Sequence, residues 1–141
     1  MRTAFLSLVA GLAMVLAASR SEAGSTDSTI VVTNNTNVQL GVIADPTPDI
    51  LAIINGTTFG SHERSQFIAA GGKFASPGGT ATLGVTAGHH TCGAAELTNN
   101  VNGTSVSSSS TIGVTTTQGK KTKVTATDTS GTNNALQLTS P

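Results

Sequence analysis

The chain has 141 residues, seven basic and seven acidic side chains, and neither tryptophan nor tyrosine. A balanced charge argues against a nucleic-acid-binding surface, which requires a basic patch. Only four phenylalanines are present, which argues against the aromatic platforms that stack single-stranded nucleic acid. The single cysteine, Cys92, cannot form an intramolecular disulfide, so packing of apolar side chains must hold the fold together.

Residues 1–23 have the pattern of a secretory signal peptide. Arg2 supplies a positive charge, residues 4–18 are uncharged and mostly apolar, and Ser21-Glu22-Ala23 places small residues at a cleavage site. The apolar stretch is shorter than the roughly 20 residues that a membrane-spanning helix needs. The sequence predicts a mature chain without a membrane span, secreted or retained in the periplasm or at the cell surface. An uncleaved membrane anchor is the alternative.

The segment after the leader is predicted to begin with a β-hairpin. Residues 24–28 form a flexible lead-in, and a single domain spans residues 29–141. Two apolar stretches, Ile30–Val32 and Val38–Ile43, flank the sequence Asn34-Asn35-Thr36-Asn37. Because asparagine tolerates left-handed backbone geometry, this polar sequence predicts a turn that joins two paired strands.

A short helix is predicted next. Thr47 has the character of an N-cap, Pro48 suits the first helical position, and Asp49 lies in the first turn. The apolar stretch Ile50–Ile54 forms the helix body, and Asn55-Gly56 ends it.

A second short helix is predicted over His62–Ala70. Gly71-Gly72 follows it and is expected to end it, since glycine readily adopts the left-handed conformation found after helices. Phe67 and Ile68 are predicted to be its buried residues.

The remainder of the chain predicts strands and turns. Threonine-rich alternation with turns about every 8–12 residues is typical of a β-sandwich or barrel. Residues 99–110 are predicted to be a polar loop, and the segments 111–117 and 121–128 a late hairpin. The other predicted strands have the sequences KFA, TATLGV, HHTCGAAEL and NALQL. The predicted fold is therefore mostly β, a single antiparallel β-sandwich with one or two short helices inserted around residues 47–70.

Two segments carry a family resemblance. GTATLGVTAGHHTC, from Gly79, and TTQGKKTKVTAT, from Thr116, resemble small exported β-sandwich modules of the carboxypeptidase-regulatory and PEGA kind. The chain departs from that pattern with His90 where tyrosine is usual and Cys92 where valine is usual, and with its helical insert. The resemblance implies a structural or binding domain, although fold alone does not determine function.

The sequence AGHHTC, from Ala87, contains two of the three histidines and the only cysteine. Histidine and cysteine are zinc and copper ligands. In a strand, His90 and Cys92 share one face while His89 lies on the other. These two residues need a further ligand, His62, His89 or a carboxylate, to make a metal site. The alternative interpretation makes Cys92 a core residue, His90 a partly buried packing residue and His89 an exposed one.

No catalytic motif is complete. Gly60-Ser61-His62 lacks the second glycine of a nucleophile elbow, and His62-Glu63 is not followed by the histidine of a zinc-protease helix. Asp45 and Asp49 are each followed or preceded by proline, which makes them turn and helix-start residues. Gly71-Gly72-Lys73 is not a phosphate-binding loop. We therefore predict no enzymatic activity, no catalytic residues and no cofactor.

Two further surface features are visible in the sequence. Lys120, Lys121 and Lys123 cluster at a predicted hairpin tip, where they either contact an anionic polymer or blunt a sheet edge. Three triplets fit the N-glycosylation pattern, which matters only in a eukaryotic secretory pathway; they begin at Asn34, Asn55 and Asn102.

The function predicted from the sequence is a structural or interaction role outside the cytoplasm, without catalysis and with a protein or a surface polymer as partner. One alternative is a small periplasmic copper- or zinc-binding protein that uses His90 and Cys92 with His62 or His89. The other is an adhesin or matrix subunit that assembles through an exposed sheet edge.

Overall fold

The computed structural model describes residues 27–128 and 135–141. The predicted signal peptide and most of the predicted lead-in lie outside the described residues. Within them, eight strands and two helices follow one another along the chain: β1 Ser28–Asn34, β2 Gln39–Ala44, α1 Pro48–Ile54, α2 Ser61–Ala69, β3 Lys73–Ala75, β4 Thr80–Val85, β5 Gly88–Asn100, β6 Gly103–Thr116, β7 Lys121–Asp128 and β8 Leu136–Thr139.

The strands form two four-stranded sheets that pack face to face, as the predicted β-sandwich requires. The first sheet has the strand order β8-β7-β1-β4 and the second the order β3-β2-β5-β6. All neighbouring strands are antiparallel except β1 and β7, which are parallel. That parallel pair departs from the purely antiparallel prediction. It is possible because β1 and β7 lie far apart in the sequence.

The core between the sheets is built from strand alternation. In β1 every second residue is buried, including Ile30 and Val32, and the residues between them are half-buried. Val124 on β7 and Leu40 and Val42 on β2 meet them from the neighbouring strand and the opposite sheet. Side chains two apart in a strand share a face, so this period of two directs one apolar set into the sandwich.

Two predicted hairpins are wrong. The polar turn after Asn34 joins β1 of the first sheet to β2 of the second, and the turn after Thr116 joins β6 to β7 across the sheets in the same way. Both are arches rather than hairpins. A polar turn between two apolar strands fits either connection, and only the pairing partners of the strands distinguish them.

The predicted loop over residues 99–110 is also wrong. β5 continues to Asn100, a two-residue turn follows, and β6 begins at Gly103, so most of this polar stretch belongs to a long hairpin. Most side chains of residues 99–110 are serine, threonine or asparagine. They can be polar within strands because much of this hairpin lies outside the sandwich core.

Both predicted helices are confirmed. Thr47 caps α1 by accepting a hydrogen bond from the Ile50 amide at 3.4 Å, Pro48 is the first helical residue and Asp49 lies in the first turn. The Thr47 hydroxyl thus satisfies an amide that no helical carbonyl can reach at a helix start, and Pro48 has no amide to satisfy.

The second helix, α2, differs from its prediction in one respect. Phe67 is fully buried, as predicted, but Ile68 is 51% exposed. Successive residues of a helix point about 100° apart, so with Phe67 directed at the sheet Ile68 turns towards solvent.

The two helices form a third layer on the outer face of the second sheet. Ile50 and Ile54 of α1 and Phe67 of α2 pack with Ile43 and Leu97 of the sheet in a second apolar cluster. A Cβ atom at Gly41 of β2 would lie 3.3 Å from the Phe67 ring, so the missing side chain lets α2 approach the sheet closely.

Three phenylalanines join this layer together. The ring of Phe59 meets those of Phe67 and Phe74 edge-on, with centroids 5.6 and 6.3 Å apart. The guanidinium of Arg64 lies 4.3 Å from the centroid of the Phe74 ring, a cation–π contact. All three phenylalanines of the described residues are therefore used in packing the helices.

Candidate functional site

The sequence AGHHTC leads into β5, and its side chains alternate as predicted. Cys92 is fully buried between the sheets and the His90 side chain is only 10% exposed. His89 lies on the opposite, exposed face, where its Nδ1 is 3.3 Å from the Thr115 hydroxyl. The rare side chains of this segment are thus divided between two faces of the second sheet.

Both ring nitrogens of His90 are occupied. Nδ1 lies 2.6 Å from Oδ2 of Asp45, and Nε2 lies 2.7 Å from the carbonyl oxygen of Thr86. A carboxylate and a carbonyl can only accept hydrogen bonds, so both contacts are satisfied by the protonated imidazolium, the form that the raised pKa of His90 favours. It has no free lone pair to bind a metal ion or to act as a general base.

Asp45 holds the start of the helical insert against β5. Its Oδ1 accepts a hydrogen bond from the Thr91 amide at 2.9 Å, and its own amide donates to the Thr91 carbonyl at 2.7 Å. Its backbone is left-handed, with φ of 50°. Aspartate is one of the few non-glycine residues that tolerate this geometry. The sequence identified Asp45 as a turn residue but did not indicate its contact with His90, which is 45 positions away.

Burial alone lowers the pKa of His90, but its hydrogen bonds to Asp45 and Thr86 and the charge of Asp45 outweigh that effect, so the pKa is raised. The ion pair therefore contributes stability that is fully present below the unfolded-state pKa of about 6.5 and is lost as the pH rises through the raised pKa of the folded state.

We predict that Asp45→Asn lowers the free energy of unfolding by about 1 kcal/mol near pH 6, a value reduced for the solvent exposure of the carboxylate. The difference from the unmodified protein should shrink as the pH is raised above the folded-state pKa of His90, since the ring is then neutral. Urea unfolding at a series of pH values measures it, with Asp49→Asn as the exposed control. A difference that is constant from pH 5 to 9 would contradict the prediction.

Cys92 has the character of a core residue. Burial, and then the negative charge of Asp45, raises the pKa of its thiol to about 12. The thiolate is the form that binds metals and attacks electrophiles, and it is not formed at neutral pH in this environment.

The predicted third ligand lies in a different layer. His62 is in the first turn of α2, on the outer side of the second sheet, whereas Cys92 faces the sandwich interior. Across residues 27–128 and 135–141, no three histidine, cysteine, aspartate or glutamate side chains form a group that could hold a metal ion. The structure brings His90 and Cys92 to one face and leaves His62 and His89 outside it.

A pair of acidic side chains, missed in the sequence, lies between the sheets. Glu96 is only 3% exposed and contacts Asp128, at the end of β7. Burial, the hydrogen bond with Asp128 and the charge of Asp128 raise the pKa of Glu96 to about 8. The sequence contained one signal for this buried carboxyl. Cys92, Ala94 and Glu96 lie two apart in a strand and therefore share one face, so a core position for Cys92 also implies an inward position for Glu96.

The outer face of the first sheet is covered by no described helix or strand. Its central feature is a straight row of threonines, one on each strand, at positions 139, 125, 33 and 80, which are lateral partners in the sheet. Neighbouring strands lie about 4.8 Å apart, so the hydroxyl and methyl groups repeat at that spacing. We call this surface the open face.

The open face carries positive charge at one end. Lys121 and Lys123 of β7 lie beside Thr29 and Val31 of β1, and both lysines are exposed. Among the described residues, neither lysine forms a salt bridge. The predicted lysine cluster therefore extends along a sheet surface as well as occupying a turn.

The free edge of β6 is partly covered. The segment between the two helices pairs with it, since the Phe59 amide donates to the Thr104 carbonyl and the Val106 amide to the Thr57 carbonyl. Further along, the Leu136 amide of β8 donates to the Ser108 hydroxyl at 2.8 Å. Such cover limits pairing with another chain along this edge.

Two shallow clefts of about 270 Å³ each lie outside these features. One is lined mainly by backbone and small side chains around Ala44 and Gly84, and the other lies beside α1 and contains Glu63. The Glu63 carboxylate is engaged there, since it accepts a hydrogen bond from the Gly60 amide at 2.9 Å. Neither cleft brings together groups that could perform acid–base or nucleophilic chemistry.

Within the described residues, no helix is long and apolar enough to cross a membrane. The chain matches no family model, no curated protein and no solved structure.

Proposed function

We propose that the protein is an exported, non-catalytic β-sandwich that binds a surface polymer or a protein outside the cytoplasm through its open face. The observation that carries the proposal is the contrast between the two outer faces. The helices α1 and α2 cover part of the second sheet and leave His89 and Thr111 exposed, whereas the first sheet presents a regular polar surface across all four strands. Export is inferred from the pattern of residues 1–23.

The residue types of the open face support binding rather than packing. Among twelve positions, seven are threonine, and none is acidic or aromatic; the other five are Val31, Gly84, Lys121, Lys123 and Gln137. Threonine is stiff at χ1, so its hydroxyl groups are held in place before a partner arrives. Preorganised groups lose little conformational entropy on binding.

The state of His90 supports the non-catalytic part of the proposal. A histidine beside an aspartate is a common arrangement in hydrolases, in which the second ring nitrogen serves as the base. Here that nitrogen donates to the Thr86 carbonyl. The same contact disfavours the alternative copper or zinc site, because a protonated imidazole is not a ligand.

The proposal is tested by binding of the purified mature chain to immobilised neutral and anionic polysaccharides and to surface proteins at low and high salt. Thr82→Glu, on the open face, is expected to weaken binding at least tenfold. Thr111→Glu, an exposed threonine on the second sheet, is the matched control and should bind normally. Equal binding by the two variants, or hydrolysis of a test substrate that a point change abolishes, would refute the proposal.

A further inference from the structure

We propose that Glu96 and Asp128 form a proton-operated clasp, which fastens the β7–β8 strand pair to the second sheet when one proton is shared and releases it when both carboxyls are ionised. The clasp goes beyond the binding role proposed above and does not depend on it.

The clasp closes a ring of contacts around one side of the sandwich. Glu96 of β5 lies opposite Ser108 of β6, and the Ser108 hydroxyl accepts a hydrogen bond from the Leu136 amide of β8. Leu136 in turn pairs with Asp128 of β7, which contacts Glu96. Two of these four links join the two sheets: Glu96–Asp128 and Ser108–Leu136. If the Glu96–Asp128 link is lost, the Ser108–Leu136 hydrogen bond is the one cross-sheet link of the ring that remains.

Among the described residues, no hydrogen-bond donor reaches Oδ1 of Asp128. Within residues 27–128 and 135–141, Oδ1 of Asp128 is the one buried side-chain oxygen or nitrogen without a partner. Ionised carboxylates only accept hydrogen bonds. A proton on Glu96 supplies the donor and removes the charge of a buried carboxyl that lies beside the half-buried Asp128, where a second negative charge is costly.

No other titratable group of the described residues faces the pair. Leu40 of β2 and Ser108 of β6 flank Glu96, and Leu136 of β8 flanks Asp128. The next titratable side chains on the inward face of β5 are Cys92, four residues or roughly 13 Å away, and His90, six residues or roughly 20 Å away. Asp128 is the one charged neighbour that raises the pKa of Glu96, and neither Cys92 nor His90 contributes to that shift.

The raised pKa of Glu96 sets the pH at which the clasp opens. In the unfolded chain this carboxyl loses its proton near pH 4.5, whereas in the folded protein it holds the proton to about pH 8. Stability from the shared proton is therefore fully present below pH 4.5 and is lost as the pH rises to about 8. The clasp is closed under acidic and neutral conditions and opens in mild alkali.

Opening the clasp is expected to loosen β8 first. β8 has four residues and lies at the edge of the first sheet, so β7 is its one neighbour in that sheet. It also carries Gln137 and Thr139 of the open face. Loss of the clasp would thus alter one side of that surface, while the β1–β4 pair on the far side of the sheet keeps its hydrogen bonds.

The test uses amide hydrogen exchange by NMR on the full mature chain, from pH 6 to 9, corrected for the intrinsic pH dependence of exchange. Protection of the Leu136 amide, which donates to Ser108, is expected to fall about tenfold for each pH unit up to the folded-state Glu96 pKa of about 8 and to level off above it. Protection of Ile30 and Val32, in the centre of the first sheet, should change much less. The carboxyl carbon of Glu96 should titrate near pH 8.

Glu96→Gln is the decisive variant because its amide donates to Asp128 at every pH. Leu136 protection should then be independent of pH. Asp128→Asn retains an acceptor oxygen but removes the charge, so the Glu96 midpoint should fall while staying above its ordinary value. Asp49→Asn, an exposed carboxylate on α1, is the control and should behave as the unmodified protein.

Two results would overturn the proposal. One is a Glu96 carboxyl that titrates near pH 4.5 in the folded protein. The other is a pH dependence of Leu136 exchange that persists unchanged in Glu96→Gln. Should that variant fail to fold, the carboxyl titration of the unmodified protein decides the matter alone. None of these readouts requires a binding partner, so a failed clasp and a failed binding function remain distinguishable.

Discussion

Gly72→Ala is expected to lower the free energy of unfolding by about 3 kcal/mol, at the upper end of what overpacking usually costs. A Cβ atom at this position would lie 2.3 Å from two ring carbons of Phe67 and 2.7 Å from the Phe67 carbonyl oxygen. Both distances are shorter than any contact a real Cβ makes. The Phe67 side chain is fully buried between α2 and the second sheet, so its ring cannot move aside without displacing other core residues.

The local geometry gives a second reason for this cost. α2 ends in a Schellman motif: the Gly72 amide donates to the Phe67 carbonyl at 2.9 Å, and the Gly71 amide donates to the Ile68 carbonyl at 3.0 Å. Any backbone shift that relieves the clash lengthens these bonds and exposes helix-end carbonyls.

Thermal unfolding measures the effect, and the melting temperature should fall by about 10 °C. Gly71→Ala separates the two glycine roles, because it has open space but a φ of +99°, so the expected loss is only about 1 kcal/mol. Gly113→Ala has neither problem, since its nearest neighbour is the His89 ring at 3.5 Å. If Gly72→Ala lowered the free energy of unfolding no more than Gly113→Ala, the predicted clash between residue 72 and the Phe67 ring would be disproved.

Asn34→Ala is expected to cost about 3 kcal/mol, because it leaves several buried polar groups without partners. Asn34 is fully buried. Its Nδ2 donates to the carbonyls of Val38 and Ala75 at 2.8 and 3.0 Å, and its Oδ1 accepts from the amide and the hydroxyl of Thr36 at 3.0 and 2.7 Å. One side chain thus holds the arch between the sheets and anchors β3 to it.

Asn35→Ala is the matched control for this prediction. Asn35 is exposed and uses only its backbone amide, which donates to the Ala126 carbonyl, so a change below about 0.5 kcal/mol is expected. Asn34→Asp should be at least as harmful as Asn34→Ala, since a second oxygen would then face the two carbonyls. Urea unfolding compares all three, and equal stability of the alanine variants would disprove the role of the buried amide.

Asn34 also shows where a local pattern misleads. The sequence predicts a turn from the left-handed tendency of asparagine, yet no asparagine of the described residues has a positive φ, and Asn34 acts through its side-chain amide.

The burial of Asn34 also distinguishes its N-glycosylation triplet from the other two. Asn55 and Asn102 are exposed, whereas the amide of Asn34 is fully engaged inside the fold.

The elements themselves follow from short-range chemistry. α1 is predicted by Thr47 and Pro48, the end of α2 by Gly71-Gly72, and the strands by period-two alternation, because caps, left-handed glycines and pleated side-chain order each depend on a few neighbouring residues. The face of each residue in AGHHTC was predictable for the same reason. The mostly-β sandwich with a helical insert was therefore determined by the sequence alone.

The tertiary structure decided which strand pairs with which, and hence which side chains meet. β1 pairs in parallel with β7, about 90 residues later, and no local signal specifies that choice. The same long-range pairing brings Asp45 to His90 and Asp128 to Glu96, and it leaves one sheet face covered by helices and the other open. Strand pairing depends on the free energy of packing the whole core, which no short stretch of sequence specifies. The sequence therefore predicted the element and the face of a residue, whereas the packing of distant strands determined which side chains it contacts.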